Sequence, residues 1–133
     1  MKPVFADTSF YVAILSPGDS LHEKARAVAA TMREKIVTTE FVLIEVANFF
    51  CRMAFRPLYL ELLKNLRAAL DVEIVPASQE LFERGVQLFE TRPDKDWSLT
   101  DCTSFCVMTE HSMSDALTAD HHFEQAGFRI LLG

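Results

Sequence analysis

Glycine and cysteine are scarce in this sequence. Four glycines in 133 residues, and no stretch rich in Pro, Gly or Ser, leave nothing that is typical of an interdomain linker. The three cysteines, Cys51, Cys102 and Cys106, do not form a disulfide-framework pattern, which suits a reducing cytoplasm. We therefore expect a single cytoplasmic domain that covers residues 1–133.

Long apolar runs and an export signal are missing as well. The apolar stretch FVLIEVANFF, residues 41–50, is too short to span a bilayer and contains a Glu and an Asn. The apolar N-terminal stretch is interrupted by Asp7, and no small-residue cleavage site follows it. No association with a membrane is predicted.

Basic residues are outnumbered, with 13 Lys and Arg against 19 Asp and Glu, for a net charge of -6. Such a chain has no general basic field that would attract nucleic acid, so any contact with nucleic acid has to be local or bridged by a metal ion. Hydrophobic residues make up 50% of the chain, which excludes a disordered polypeptide and predicts a substantial core.

Short apolar runs alternate with longer helical stretches, a pattern that is typical of a parallel sheet covered by helices. The predicted strands lie at 4–6, 36–38, 72–75, 116–118 and 129–132. The predicted helices lie at about 20–33, 39–55, 58–69 and 78–90, and a further one begins near residue 98. The fold class is therefore α/β, with a central and mainly parallel sheet of about five strands.

Two segments have the form of a capping box, in which a Ser side chain and an acid three residues later cap the start of a helix. They are Ser20-Leu21-His22-Glu23 and Ser98-Leu99-Thr100-Asp101. Asp101 therefore has a purely structural explanation, because an acid in the first turn accepts a backbone N–H and interacts favourably with the helix dipole.

Two other acids follow predicted strands. Asp7 comes at the end of the first strand and Asp120 follows the fourth. In an open parallel sheet the carboxyl ends of the strands face the crevice where ligands bind. Both carboxylates are therefore expected at one edge of the sheet.

Glu45 lies in the most apolar predicted helix, where an unpaired charge is costly. Asn48 and Arg52 follow three and seven residues later, so the three residues make a narrow polar stripe. Glu45 belongs to a solvent-exposed edge of the helix, pairs locally with Arg52, or binds a cation.

Asp7, Glu45, Asp101 and Asp120 thus have reasons to converge, and converging carboxylates need a counter-charge. Oxygen ligands of this kind suit Mg²⁺ or Mn²⁺. A carboxylate-held ion also binds substrate phosphate, and it activates water for the hydrolysis of a phosphodiester. The sequence therefore predicts a metal site that is compatible with an acidic chain.

With these residues in place, the sequence resembles the PIN-domain nucleases, and in particular the single-domain ribonuclease toxins of bacterial toxin–antitoxin pairs. The motifs that carry the resemblance span the chain in the order typical of the family. They are DTSFYVAIL, EFVLIEVANFF, DWSLTDCTSFCVM and LTADHHFEQAGF.

The resemblance implies that Asp7 and Asp101 are the principal metal ligands and that Glu45 and Asp120 complete the acidic cluster. It also implies that Ser9 and Thr118 are supporting hydroxyls near the metal. Further implications are a three-layer sandwich, a homodimer, RNA as the substrate, and an antitoxin protein as the partner.

Two other functions are compatible with parts of this pattern. A phosphatase or phosphotransferase with an aspartyl nucleophile would also place Asp7 in a crevice, but no acid stands two residues later and no lysine is evident to hold a phosphoryl group. A PIN-like domain could also process cellular RNA outside a toxin–antitoxin pair, or serve only for binding and dimerisation.

The remaining polar and aromatic residues receive structural interpretations. Cys102 and Cys106, together with His121 and His122, fit no common zinc pattern. Scattered bases are interpreted as a solvated surface: Arg52, Arg56, Lys64, Arg67, Arg92 and Lys95. Five phenylalanines at helical spacing are interpreted as core or dimer contacts and not as stacking platforms for bases: Phe49, Phe50, Phe55, Phe82 and Phe89.

Overall fold

The computed structural model describes all 133 residues and contains one sheet of five strands, all of them parallel. The strands are β1 (Val4–Ala6), β2 (Ile36–Thr39), β3 (Val72–Val75), β4 (Asp115–Leu117) and β5 (Arg129–Ile130). The helices are α1 (Thr8–Leu15), α2 (His22–Thr31), α3 (Glu40–Phe49), α4 (Arg56–Ala68), α5 (Gln79–Thr91), α6 (Leu99–Glu110) and α7 (His121–Gln125). The predicted α/β class and parallel sheet are confirmed.

The strand order β3-β2-β1-β4-β5 places β1 at the centre of the sheet. From β1 the chain moves outward through β2 to β3, and it then returns to the other side of β1 to form β4 and β5. The order therefore reverses between β1 and β4, and ligands of open α/β sheets bind in the crevice outside the carboxyl ends at such a point. In the register of these two strands Ala6 lies beside Leu117, so Asp7 and Thr118 emerge side by side.

The core forms around β1, whose three residues are all buried, as expected for a strand covered on both faces. Phe5 and Phe123 are completely buried, with ring centroids 6.3 Å apart. Helix α6 is the most deeply embedded helix, and seven of its twelve residues are buried. Because α6 is enclosed on most sides, its first turn is held rigidly against the edge of the sheet.

The predicted helix over 39–55 is too long. Helix α3 ends at Phe49, and residues 50–55 form a connection in which Phe50 turns into the core with only 6% exposure. Helix α4 begins at Arg56, so Pro57 occupies its first turn, where the missing N–H costs no hydrogen bond. Phe50 therefore lies in the core just beyond the end of α3, and α4 begins two residues before the predicted start at residue 58.

The capping box predicted at Ser20 is also wrong, because α2 begins at His22 with no side-chain cap. The preceding turn is closed instead by Asp19, whose Oδ1 accepts the N–H of Leu21 at 2.8 Å. The cap predicted at Ser98 is confirmed, and Ser78 caps α5 in the same way through its side chain. No helix has both the length and the apolar composition that a membrane crossing requires.

Helices α5 and α6 approach each other closely at Gly85. A Cβ at this position would lie 2.6 Å from Cγ2 of Thr103 and 3.4 Å from its backbone nitrogen. Gly85→Ala should therefore destabilise the protein by about 1–3 kcal/mol through overpacking, as measured by chemical denaturation. Thr103→Ser removes the clashing methyl group and keeps the hydroxyl that donates to the Thr100 carbonyl at 2.6 Å.

In the double variant Gly85→Ala/Thr103→Ser most of that loss should be recovered, which a double-mutant cycle measures directly. Additive losses from the two substitutions would contradict the proposed contact.

Candidate active site

The four acids singled out in the sequence line one cavity of about 460 Å³ at the carboxyl edge of the sheet. The structure therefore brings Asp7, Glu45, Asp101 and Asp120 together from four separate parts of the chain. The other residues that line the cavity are Thr8, Ser9, Val12, Asp19, Leu21 and Phe49. Five carboxylates therefore face this space, and no lysine or arginine lines it.

Asp7 is held in place by the side chains that follow β4. Its Oδ2 accepts a hydrogen bond from the Thr118 hydroxyl at 2.9 Å, and Asp7 is only 4% exposed. Because the single hydrogen of Thr118 is donated to Asp7, the Ser9 hydroxyl donates to Thr118 at 3.0 Å. The backbone N–H of Asp120 donates to the same oxygen at 3.0 Å. Thr118 thus links Asp7, Ser9 and Asp120 in one network.

Burial, together with the nearby charges of Asp101 and Glu45, raises the pKa of Asp7 to about 7. The hydrogen bonds from the Thr8 backbone and from Thr118 act in the opposite direction but are outweighed. A carboxyl group with this pKa is half protonated near neutral pH, so a cation that binds Asp7 has to displace a proton.

Asp101 is both a helix cap and a cavity residue. Its Oδ2 accepts the Ser98 N–H at 3.2 Å, and its own N–H donates to Oγ of Ser98 at 3.0 Å, which completes the predicted capping box. Burial and the charge of Asp120 raise the pKa of Asp101 against the lowering effect of Ser98 and His122. The capping explanation for Asp101 is therefore correct, and the same side chain lines the cavity.

Asp120 caps the short helix α7, and its Oδ1 accepts the His122 N–H at 2.9 Å. The imidazole of His122 lies between two acids, with Nδ1 3.2 Å from Oδ2 of Asp101 and 3.3 Å from Oδ1 of Asp120. The sequence left this histidine without a role. Its place beside both acids follows from α7 and α6 packing at the same edge of the sheet.

Glu45 reaches the cavity from α3 and is partly buried. The alternative explanation for Glu45, a pairing with Arg52, is not supported, because Arg52 lies beyond the end of α3 and forms no ion pair. The side chain of Glu45 therefore has no basic partner in the chain.

The PIN-domain family profile matches residues 4–129, almost the whole chain. This chain belongs to the PIN-domain family. The sequence-based assignment to that family is confirmed, and so is the three-layer α/β fold that it implied.

Similar proteins fall within the same family. The 23S rRNA-specific endonuclease VapC20 of Mycobacterium tuberculosis, found in two strains, is 29% identical over 126 residues, which cover 94% of this chain and 95% of the relative. The crystal structure of VapC20, described as a sarcin-ricin loop cleaving toxin, aligns with a TM-score of 0.85 at 26% identity over 94% of this chain and 95% of that one.

A more distant structure shares only the fold. FitAcB from Neisseria gonorrhoeae aligns with a TM-score of 0.68 at 16% identity, over 96% of this chain and 95% of that one. Together, the family match and the VapC20 relatives confirm the predicted enzyme class, the PIN-type endoribonucleases. The divalent ion, the antitoxin, the homodimer and the individual site residues stay predictions.

The donors in this PIN domain fit a divalent ion that prefers oxygen. The cavity gathers carboxylates and is lined by no lysine or arginine, and burial keeps Asp7 and Asp101 from ionising easily when no ion is bound. In Asp101 and Asp120, one carboxylate oxygen is occupied by the hydrogen bonds described above, and the other accepts none from the chain. A free oxygen on each acid is what a ligand to Mg²⁺ or Mn²⁺ requires.

The cysteines take no part in this site. Cys102 is fully buried, and burial raises the pKa of its thiol to about 11, so it is present as an uncharged thiol. The two histidines belong to a different group of possible metal ligands. Asp120, His121 and His122 each offer one ligand atom, and these three atoms lie within 4.8 Å of one another.

Several residues of the cavity were missed or misinterpreted in the sequence. Phe49 was expected in the core or at a dimer contact; it is 62% exposed in the single chain, so it lies outside the core, and it lines the cavity. Its spacing of four residues from Glu45 could have revealed this, because residues i and i+4 share a helix face. Thr8 and Asp19 carried no such signal.

The buried Asp7 makes the stability of the metal-free protein depend on pH. The folded-state pKa of about 7 lies above the ordinary value of 3.8, so the favourable contribution of neutral Asp7 is complete below pH 4 and is lost as the pH rises through 7. Asp7→Asn should therefore match the wild type near pH 4 and exceed it by on the order of 2–4 kcal/mol at pH 8.

Denaturant titrations in EDTA at several pH values measure this difference. A gap between the two proteins that does not change from pH 4 to pH 8 would contradict the assigned pKa.

Proposed function

We propose that this PIN domain is an Mg²⁺- or Mn²⁺-dependent endoribonuclease that hydrolyses phosphodiester bonds of RNA. The observation that carries the proposal is the cavity itself, in which Asp7, Glu45, Asp101 and Asp120 meet and no lysine or arginine lines the space. A purely structural role would not require four acids at this point, because each of them costs folding free energy when it ionises near the others.

Asp7 and Asp101 are the proposed principal ligands, since both are at least nine-tenths buried and fixed by hydrogen bonds. Glu45 and Asp120 complete the cluster, directly or through water. When bound, a divalent ion lowers the pKa of a water molecule and neutralises charge on the phosphate. The acids thus supply the binding site and need no protein nucleophile.

The residues around the acids hold the carboxylate groups in a fixed orientation. Thr118 holds one oxygen of Asp7, Ser9 fixes Thr118, and Ser98 holds one oxygen of Asp101. Both principal ligands also stand at helix N-termini, because Asp7 is the N-cap of α1 and Asp101 lies in the first turn of α6. The N–H groups and dipoles of these helices favour negative charge in the cavity, both that of the acids and that of a phosphate.

The alternative in which Asp7 acts as a covalent nucleophile has less support. Phosphotransferases of that kind need a cationic side chain beside the phosphoryl group, and the cavity is lined by none. In addition, Thr118 occupies one oxygen of Asp7, which fits a metal ligand that must be held still.

We further propose that the protein is the toxin of a toxin–antitoxin pair, that it acts in the cytoplasm as a homodimer, and that an antitoxin protein inhibits it. The similarity to VapC20, a toxin whose substrate is 23S rRNA, supports this and makes structured ribosomal RNA the first substrate to test. A small reading frame next to the gene would support the antitoxin. Its absence would favour an RNA-processing nuclease.

Hydrolysis of ribosomal RNA by the purified protein tests the nuclease proposal. We expect cleavage in Mg²⁺ or Mn²⁺ that EDTA abolishes, and a loss of at least about 100-fold in Asp7→Asn and Asp101→Asn, more than the removal of an outer hydrogen-bond partner costs. The matched control is Glu61→Gln, which neutralises an exposed acid on α4. Circular dichroism checks the fold of each variant.

If the wild type binds the metal but cleaves no RNA, the nuclease proposal is wrong and a binding or dimerisation module is favoured. If the wild type, Asp7→Asn, Asp101→Asn and Glu61→Gln cleave RNA at equal rates, Asp7 and Asp101 are not part of the active site.

Thr118→Val tests the orientation of Asp7, because it removes the donor to Asp7 and the acceptor for Ser9 while the volume stays nearly the same. We expect an Mn²⁺ affinity about 10- to 100-fold lower than that of the wild type, as titration calorimetry would measure it. The exposed Thr109 offers a matched control in Thr109→Val, which should bind normally. An unchanged affinity in Thr118→Val would show that Asp7 needs no such support.

A further inference from the structure

Part of the lining of the acidic cavity is apolar and includes an exposed aromatic ring. The apolar residues that line it are Val12, Leu21 and Phe49. Phe49 is 62% exposed, whereas the adjacent Phe50 is buried in the core with 6% exposure. Phe49 also forms no aromatic pair within the chain, although several other phenylalanines do.

Exposure alone assigns no role to Phe49, since single exposed hydrophobic residues are normal on protein surfaces. Its position is what distinguishes it. Other exposed phenylalanines, such as Phe82 and Phe89 on α5, do not line the acidic cavity, and Phe49 does. The ring therefore presents an apolar face to whatever enters the site.

Helix geometry places this ring one turn away from a carboxylate of the cluster. Glu45 and Phe49 are four residues apart on α3, so they share a helix face and are offset by about 6 Å along the axis. That offset is comparable with the distance between the phosphate and the base of one nucleotide. An RNA phosphate held at the acids would therefore bring a neighbouring base to Phe49.

We infer that Phe49 is a platform on which a base of single-stranded RNA, adjacent to the scissile phosphate, stacks during cleavage. The inference rests on the proposed nuclease function and adds a binding residue to it. Stacking suits this site because the cavity has no Lys or Arg, so it can make no direct ion pair with the RNA backbone. An aromatic face adds affinity without charge, and it accepts any base.

A second copy of the chain is a less suitable occupant of this part of the lining. The protein has a net charge of -6, and five carboxylates line the same cavity as Phe49. A copy that covered Phe49 would bring one acidic molecule against the acidic cavity of the other. A nucleobase is uncharged, and its phosphate is attracted by the divalent ion that the acids require.

The test compares Phe49→Ala with Phe89→Ala, a matched control on α5 that is 50% exposed and remote from the cavity. With a short single-stranded RNA that the wild type cleaves, Phe49→Ala should lower kcat/KM by roughly 10- to 100-fold, the effect expected for one stacked base. Phe89→Ala should be unaffected, and Phe49→Tyr should restore the rate. Equal rates for the wild type and Phe49→Ala would overturn the inference and leave the nuclease proposal intact.

A substrate that lacks one base identifies the contact. Removing the base next to the cleaved bond should slow the wild type as much as Phe49→Ala does, and it should slow Phe49→Ala no further. Additive losses would overturn the inference. Light scattering on both variants addresses the rival occupant, because a Phe49→Ala protein that dissociates from dimer to monomer would mark the ring as a subunit contact instead.

Binding provides a readout that does not depend on cleavage. In Phe49→Trp, stacking of a single-stranded RNA should quench the fluorescence of the new indole, whereas Trp97, which is buried, supplies the background in the wild type. Quenching in a protein that cleaves nothing would support the platform while the nuclease proposal fails. No quenching at RNA concentrations that saturate the protein would overturn the platform.

Discussion

The structure depends on one constraint, which is that carboxylates are held close together with no lysine or arginine lining the cavity that they share. Five acids line the cavity, and burial raises the pKa of both Asp7 and Asp101. Such an arrangement opposes folding unless the acids are neutral or share a cation. The rest of the fold serves to hold the acids in place: β1 and β4 deliver Asp7 and Thr118 side by side, and the deeply buried α6 fixes Asp101.

Much of this arrangement could be predicted from the sequence, because it follows from local patterns. The short apolar runs predict that Asp7 and Asp120 lie at the ends of strands. The pair Ser98 and Asp101 predicts the start of a helix. The wrong predictions concern features that tertiary packing decides. Phe50 ends α3 by turning into the core, and Asp19 closes the turn that Ser20 was expected to cap. The contact of His122 with two acids needs α6 and α7 in their final positions.

The two explanations of Asp101 are not in competition. Ser98 and His122 both bond to Oδ2, and Oδ1 accepts no hydrogen bond from the chain. One oxygen therefore serves the cap, and the other is free for a ligand. Asp120 is arranged in the same way, with Oδ1 at the start of α7 and Oδ2 free. Capping fixes the rotamer of each acid, so less side-chain conformational entropy is lost when an ion binds.

The same constraint explains how an acidic protein can act on an acidic substrate. With a net charge of -6 and no basic residue in the cavity, the chain alone repels RNA near the site. Under the proposed function, attraction comes from a bound cation and from uncharged contacts, and the cavity lining has groups for both. The acids would hold the cation, and Val12, Leu21 and Phe49 provide the apolar part of the lining. Affinity for RNA would then depend on the metal. The site would therefore bind RNA weakly whenever its acids are protonated or covered by a partner.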